Sequence, residues 1–219
     1  MCDEFLNDLK DKLPEIPGIH RKDKYFNSAV LLLLYWIDGE YHLLFERRAV
    51  NISQGGEVCL PGGKYDPRID SNYEDTAIRE TMEELGVSKE SIKIIGRLDT
   101  LVAAMGATID IFVGVLEIDS LEELEINRGE VAEVFTLPIA YFKDNHPQEY
   151  QVRLEIQPSY FNQKGEEVVT FPAKELGLPQ RYTKPWGGRD HKIYLYQTGQ
   201  GIIWGITAEL IYDFVERLC

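Results

Sequence analysis

The sequence predicts an α+β fold, an α/β/α sandwich around a mixed sheet. Three observations carry this. A continuous apolar run, Ala29 to Ile37, turns at "DGE" and returns as "YHLLFERRA", the pattern of a buried hairpin. Apolar residues recur at helical spacing from about Tyr73 to Leu85. The remaining apolar stretches are joined by short turns more often than by helical crossovers, so hairpins dominate over βαβ units.

The elements follow in order. Phe5, Leu6, Leu9 and Leu13 stand at helical spacing, and Pro14 ends that helix. A proline-containing connector leads to the hairpin. Residues 51–72 are rich in Gly, Pro, Asp, Asn and Ser, which predicts a loop with a short strand at "EVCL". The helix at Tyr73–Leu85 stops at Gly86, a residue suited to the left-handed cap. "SIKIIGRLDTLVA" and "TIDIFVGVLEI" read as two strands joined by "AMGA", and "EINRGEVAEVFTLPI" as a loop plus a strand, with "AYFKDN" opening a short helix. Strand-like pieces "YQVRLEI", "EEVVTF" and "KIYLYQ" follow. A closing helix has Thr207 as its expected N-cap and Leu210, Ile211, Phe214, Val215 and Leu218 as its apolar face.

At 219 residues the chain suits one domain, 1–219, with an N-terminal helix and connector (1–24), a core (25–148) and a C-terminal extension (149–219). The net charge of −14 argues against nucleic acid and anionic membrane as partners. The longest apolar run is too short to span a bilayer. Cys2, Cys59 and Cys219 form no CxxC pair and the four histidines no HxxxH pair, so a disulfide scaffold or zinc site is not expected. Sparse cysteines, a charged N-terminus and an ending "ERLC" without a peroxisomal tripeptide predict a cytoplasmic protein. The oligomeric state is open, a homodimer included.

"RETMEELGV" carries the chemistry. Glu80, Glu83 and Glu84 lie at i, i+3 and i+4, on one helix face. Ile78, Met82 and Leu85 fall roughly opposite, with Thr81 beside them, which predicts an apolar face inward and a carboxylate face outward. Like charges at these spacings repel, and a cation reverses that cost. Hard divalent ions such as Mg²⁺ or Mn²⁺ take carboxylate oxygens as ligands. Upstream, "LPGGKYDP" sets Gly62 and Gly63 where backbone can approach a ligand and offer a carbonyl oxygen.

Together these residues resemble the signature box of the Nudix hydrolases, G-x5-E-x7-R-E-U-x-E-E-x-G-U. Gly63, Arg79, Glu80, Glu83, Glu84, Gly86 and Val87 match. The span from Gly63 to Arg79 is two residues longer than in the pattern, Ser71 stands at the upstream Glu with Asp70 beside it, and Thr81 replaces an aliphatic residue. The resemblance implies the Nudix fold and a metal-assisted attack of water on a diphosphate. It makes Glu80, Glu83 and Glu84 ligands of Mg²⁺ or Mn²⁺, with the Gly63 carbonyl. Arg79 would orient the carboxylates, and Glu80 is a candidate base. Glu130 stands in a loop where some family members carry a further ligand or base, and an ordinary loop carboxylate is the competing reading.

"LLFERRAVNISQGGEVCLPGGKYDP" further resembles the motif of the coenzyme A pyrophosphatase subgroup. Leu43, Leu44, Arg47, Gly56, Pro61, Gly62 and Gly63 match, whereas Phe45, Arg48, Ile52 and Leu60 depart. This implies coenzyme A or an acyl-CoA as the small-molecule substrate, cleaved to 3′,5′-ADP and 4′-phosphopantetheine or its acyl derivative. Arg47, Arg48 and Lys64 are the substrate-binding candidates, because basic groups suit the substrate's phosphates. The alternatives are an ADP-ribose or dinucleotide pyrophosphatase, and a Nudix-fold nucleotide-binding domain without turnover.

Overall fold

In a computed structural model, α1 (Cys2–Lys12) leads to β1 (Phe26–Ile37), β2 (Glu40–Arg48), β3 (Val58–Cys59) and β4 (Gly62–Lys64). Next come α2 (Tyr73–Leu85), β5 (Ile92–Arg97), β6 (Leu101–Ala103), β7 (Ala107–Leu116), β8 (Val131–Pro138) and α3 (Ile139–Asp144). The chain closes with β9 (Gln148–Ile156), β10 (Ser159–Phe161), β11 (Glu167–Val169), β12 (Trp186–Thr198), β13 (Gly201–Trp204) and α4 (Gly205–Glu216). The structure describes residues 2–218, and side chains from residue 6 onward. The Phe5, Cys2 and Cys219 side chains lie outside the described residues.

The chain divides into two compact units, Met1–Leu33 with Pro61–Glu125 and Leu34–Leu60 with Ile126–Cys219. In the first unit, β1 pairs antiparallel with β4, placing Ala29 opposite Gly63 and Val30 opposite Gly62. Along its other edge, Phe26 N–H donates to Gly106 O and Ser28 Oγ to Thr108 O, so the contacts climb in step along β1 and β7. That is parallel pairing, and it makes the sheet mixed. β5 and β6 pair antiparallel with β7. Ala29, Leu31, Leu33, Ala77, Leu85 and Leu116 are buried here. Leu6, Leu9 and Leu13 of the N-terminal segment are exposed.

In the second unit, β2 pairs antiparallel with the end of β1, with β3 and with β8. Phe45, which departs from the subgroup motif, packs against Phe135 and Phe142, with ring centroids 5.5 and 5.9 Å away. Its side chain is therefore core. β9, β12 and β13 form a separate sheet, and β10 and β11 a hairpin.

Several expectations need correcting. The stretch "SIKIIGRLDTLVA" is two strands, β5 and β6, with 98–100 between them outside either strand. β12 runs further back than "KIYLYQ", through Gly187 and Gly188, whose left-handed backbones mark the register shift between Trp186 and Arg189. Thr207 lies inside α4, which begins at Gly205 with Trp204 extended before it. Leu218 falls beyond the end of α4 and is exposed. Ala208, Leu210, Ile211, Phe214 and Val215 form the buried face.

Candidate active site

The site grows from the contact between β4 and α2, both in the first unit. The side chain of Asn72 accepts the Asp75 N–H at 3.0 Å and starts α2 cleanly. Gly86 ends it in the left-handed conformation, φ 68°, with its N–H on Met82 O. A side chain at Gly86 would also strike the Glu125 main chain. These two ends set the register of the glutamates between them.

Arg79 is the hub. Its Nε and Nη2 clasp the two oxygens of Asp70 at 2.8 and 3.0 Å. Nη1 reaches Glu80 Oε1 at 2.8 Å and Glu83 Oε2 at 3.2 Å, and Nη2 also donates to Lys64 O at 3.2 Å. Bidentate arginine–carboxylate pairing fixes geometry as well as charge. The Asp70 side chain is 1% exposed and takes further donors from Asp66 N–H and Thr76 Oγ1. The guanidinium beside it holds its carboxyl down at about 2, against the opposing pull of burial. The sequence offered only Asp70's place in the loop as a signal of this role. The paired acid is one residue upstream of the Ser71 position where the family pattern puts a glutamate.

The three glutamates differ. Glu84 is 4% exposed and accepts the Gly62 N–H at 2.9 Å. The expectation of an outward carboxylate face is therefore wrong for Glu84, because a backbone donor on β4 satisfies it inside. Glu80 is half-buried, and Glu83 is exposed. A Cβ built on Gly63 would lie 2.5 Å from Glu80 Oε2 and 2.7 Å from Oε1, so only glycine leaves that carboxylate its place. Gly62, at φ 146°, presses on the Ala29 main chain in the same way.

Among the described residues, no three of His, Cys, Asp and Glu converge as a metal cage. The Arg79 guanidinium contacts both Glu80 and Glu83, and Glu84 is turned to Gly62. The donor set still suits a hard divalent cation: carboxylate oxygens at three positions, and a glycine backbone whose missing side chain keeps Glu80 in place.

The other expected site residues are placed as follows. Lys64 is exposed at the end of β4, in the same unit as α2. Arg47, Arg48 and Glu130 belong to the second unit. Arg47 Nε pairs with Glu133 Oε2 at 3.0 Å and Nη2 donates to Gln200 O. Arg48 Nε donates to Ser53 O at 3.0 Å and braces the loop after β2. Glu130 is exposed, and its carbonyl accepts the Ala49 N–H at 2.7 Å. A buried acid that the sequence did not single out is Asp110 on β7. It receives Lys22 Nζ at 2.6 Å, Arg97 Nη2 at 2.7 Å and Thr100 Oγ1 at 2.8 Å.

Comparison with known proteins agrees with this architecture. The family model described as "NUDIX domain" matches residues 26–156, more than half of the chain. An uncharacterised Nudix hydrolase, NudL of Yersinia pestis, is 30% identical over 220 residues, covering 98% of this chain and 94% of the relative. The human protein named mitochondrial coenzyme A diphosphatase NUDT8 is 35% identical over 195 residues, 88% of this chain and 69% of the relative. The mouse protein named peroxisomal coenzyme A diphosphatase NUDT7 is 37% identical over 123 residues, 56% of this chain. That match spans half of the mouse protein's length. The chain belongs to the Nudix hydrolase family, and its relatives include members of the coenzyme A diphosphatase-like subgroup.

Proposed function

We propose that this protein hydrolyses the diphosphate of coenzyme A or an acyl-CoA, releasing 3′,5′-ADP and (acyl-)4′-phosphopantetheine. The observation that carries the reading is the seating of Glu80 and Glu84 against the Gly62–Gly63 backbone, fixed by the buried Asp70–Arg79 pair. The names of the mouse and human relatives favour coenzyme A over other diphosphates.

Glu80, Glu83 and Glu84, with the Gly63 carbonyl, would hold Mg²⁺ or Mn²⁺. When bound, the metal neutralises diphosphate charge and makes water a better nucleophile. The chain supplies the rest. The glycine pair admits the diphosphate close to the main chain. Asp70 anchors the Arg79 guanidinium, and Arg79 sets the Glu80 and Glu83 carboxylates. Glu80, held between Gly63 and Arg79, accepts the proton of the attacking water. As that water's oxygen bonds to phosphorus, the bridging P–O bond breaks and its electrons leave with the second phosphate. Glu130 is an alternative base. Arg47 and Arg48 would contribute to phosphate binding only by giving up their present partners. The three sparse cysteines favour a cytoplasmic setting, although the names of two relatives specify a mitochondrial and a peroxisomal location.

The test is a panel of coenzyme A, acyl-CoAs, ADP-ribose, NADH and a dinucleotide, each with Mg²⁺ and Mn²⁺, with products identified by mass. Coenzyme A or an acyl-CoA should turn over fastest. Faster hydrolysis of ADP-ribose would overturn the substrate, and no hydrolysis at all would indicate a binding domain.

A further inference from the structure

Next to the carboxylate site in the first unit lies an open cavity of 620 Å³. Its walls include Phe26, Tyr65, Tyr73, Lys22 and Lys64, and Asp23 is the one acid in its lining. The volume falls in the ordinary range for small-molecule sites. Its lining joins flat aromatic surface to positive charge.

The aromatic wall is held in place from behind. Lys22 Nζ is tied to buried Asp110 at 2.6 Å and sits 3.8 Å from the Tyr73 ring centroid. The Tyr73 and Tyr65 rings are in contact, with centroids 4.4 Å apart. The Lys22 ammonium is thus held toward Asp110, which it shares with Arg97. Lys64 and Phe26 are exposed, Phe26 at 55%, as are Asp23 and Pro67 of the same lining. Lys64 also follows Gly63 directly, and its carbonyl receives Arg79 Nη2. Lys64 is thus at once a wall residue of the cavity and a main-chain partner of Arg79.

A ligand matching this wall is an aromatic ring carrying its own phosphate, with a diphosphate extending toward Gly63. We infer that the cavity receives the adenosine 3′-phosphate end of the substrate, its ring against Phe26 and Tyr65 and its 3′-phosphate on Lys64. This rests on the coenzyme A reading above and deepens it. Of the three basic residues expected from the sequence, it selects Lys64, because Arg47 and Arg48 are engaged with Glu133, Gln200 and Ser53.

The test is calorimetric binding of 3′,5′-ADP and of AMP to the full chain in EDTA, for wild type, Lys64→Ala and Phe26→Ala. Melting curves establish that each variant is folded. A charge-assisted contact makes 3′,5′-ADP bind about tenfold or more tightly than AMP in wild type. Lys64→Ala should erase that ratio. Phe26→Ala should weaken both ligands about tenfold and keep the ratio, as loss of a stacking surface does. Equal binding of the two nucleotides by wild type, or a ratio that survives Lys64→Ala, overturns the inference even if coenzyme A is hydrolysed. A ratio lost in Lys64→Ala upholds the cavity even if the substrate panel shows no coenzyme A turnover, so the two readings fail separately.

Discussion

Asp70 takes hydrogen bonds from Arg79 Nε and Nη2, from Thr76 Oγ1 and from the Asp66 N–H, while almost wholly shielded from solvent. Its carboxyl is held at about 2, below the ordinary 3.8, first by the Arg79 hydrogen bond. A carboxylate held down in the folded state adds stability above its ordinary value and loses it as pH falls toward the folded one. Thermal unfolding of the wild type should therefore drop between about pH 4 and pH 2, and Asp70→Asn should flatten that slope. A slope unaltered in Asp70→Asn would show that other groups set it. Glu84 calls for a different experiment. Glutamine keeps the oxygen that accepts the Gly62 N–H and removes the charge, so Glu84→Gln should melt within a few degrees of wild type. Its kcat should fall at least ~10²-fold if Glu84 holds the metal. Near-normal turnover would remove it from the ligand set.

At the scale of elements, the contact of β4 with α2 decides whether the site exists. Gly63→Ala places a methyl group on the Glu80 carboxylate, the movable end of a side chain. We expect Glu80 to swing aside: the melting temperature changes little, while kcat drops about 10²-fold. A large loss of stability would mean that the clash spreads into the backbone. The helix itself was legible in the sequence from Tyr73 to Leu85, because its period and its Gly86 stop agree, while the Asn72 cap emerged only with the structure. The different fates of its glutamates were not. Helical spacing places Glu84 beside Glu80 and Glu83, but its burial depends on a β4 amide 22 residues away in the chain. Likewise Phe45 looked like a change bearing on substrate, and only its packing on Phe135 and Phe142 marks it as core. β10 and β13 escaped notice because they are short, and only their hydrogen-bonding partners define them.

For the whole molecule, charge is the property that the sequence states most directly. A protein of net charge −14 repels a polyanionic substrate until salt screens it. With metal saturating, kcat/KM for coenzyme A should rise as ionic strength goes from about 10 to about 150 mM, while kcat stays level. A fall would show that local basic groups such as Lys64 dominate the encounter. The division into units is a property the sequence conceals. Each unit takes two separate stretches of chain, and β1 passes through both, so no compositional boundary marks them. Arg79 has one more consequence. Folding brings several carboxylates together around α2, and the guanidinium supplies internal charge compensation as it does so. If these glutamates hold a metal as proposed, its arrival would exchange partners with the Arg79 guanidinium rather than fill an uncompensated cluster.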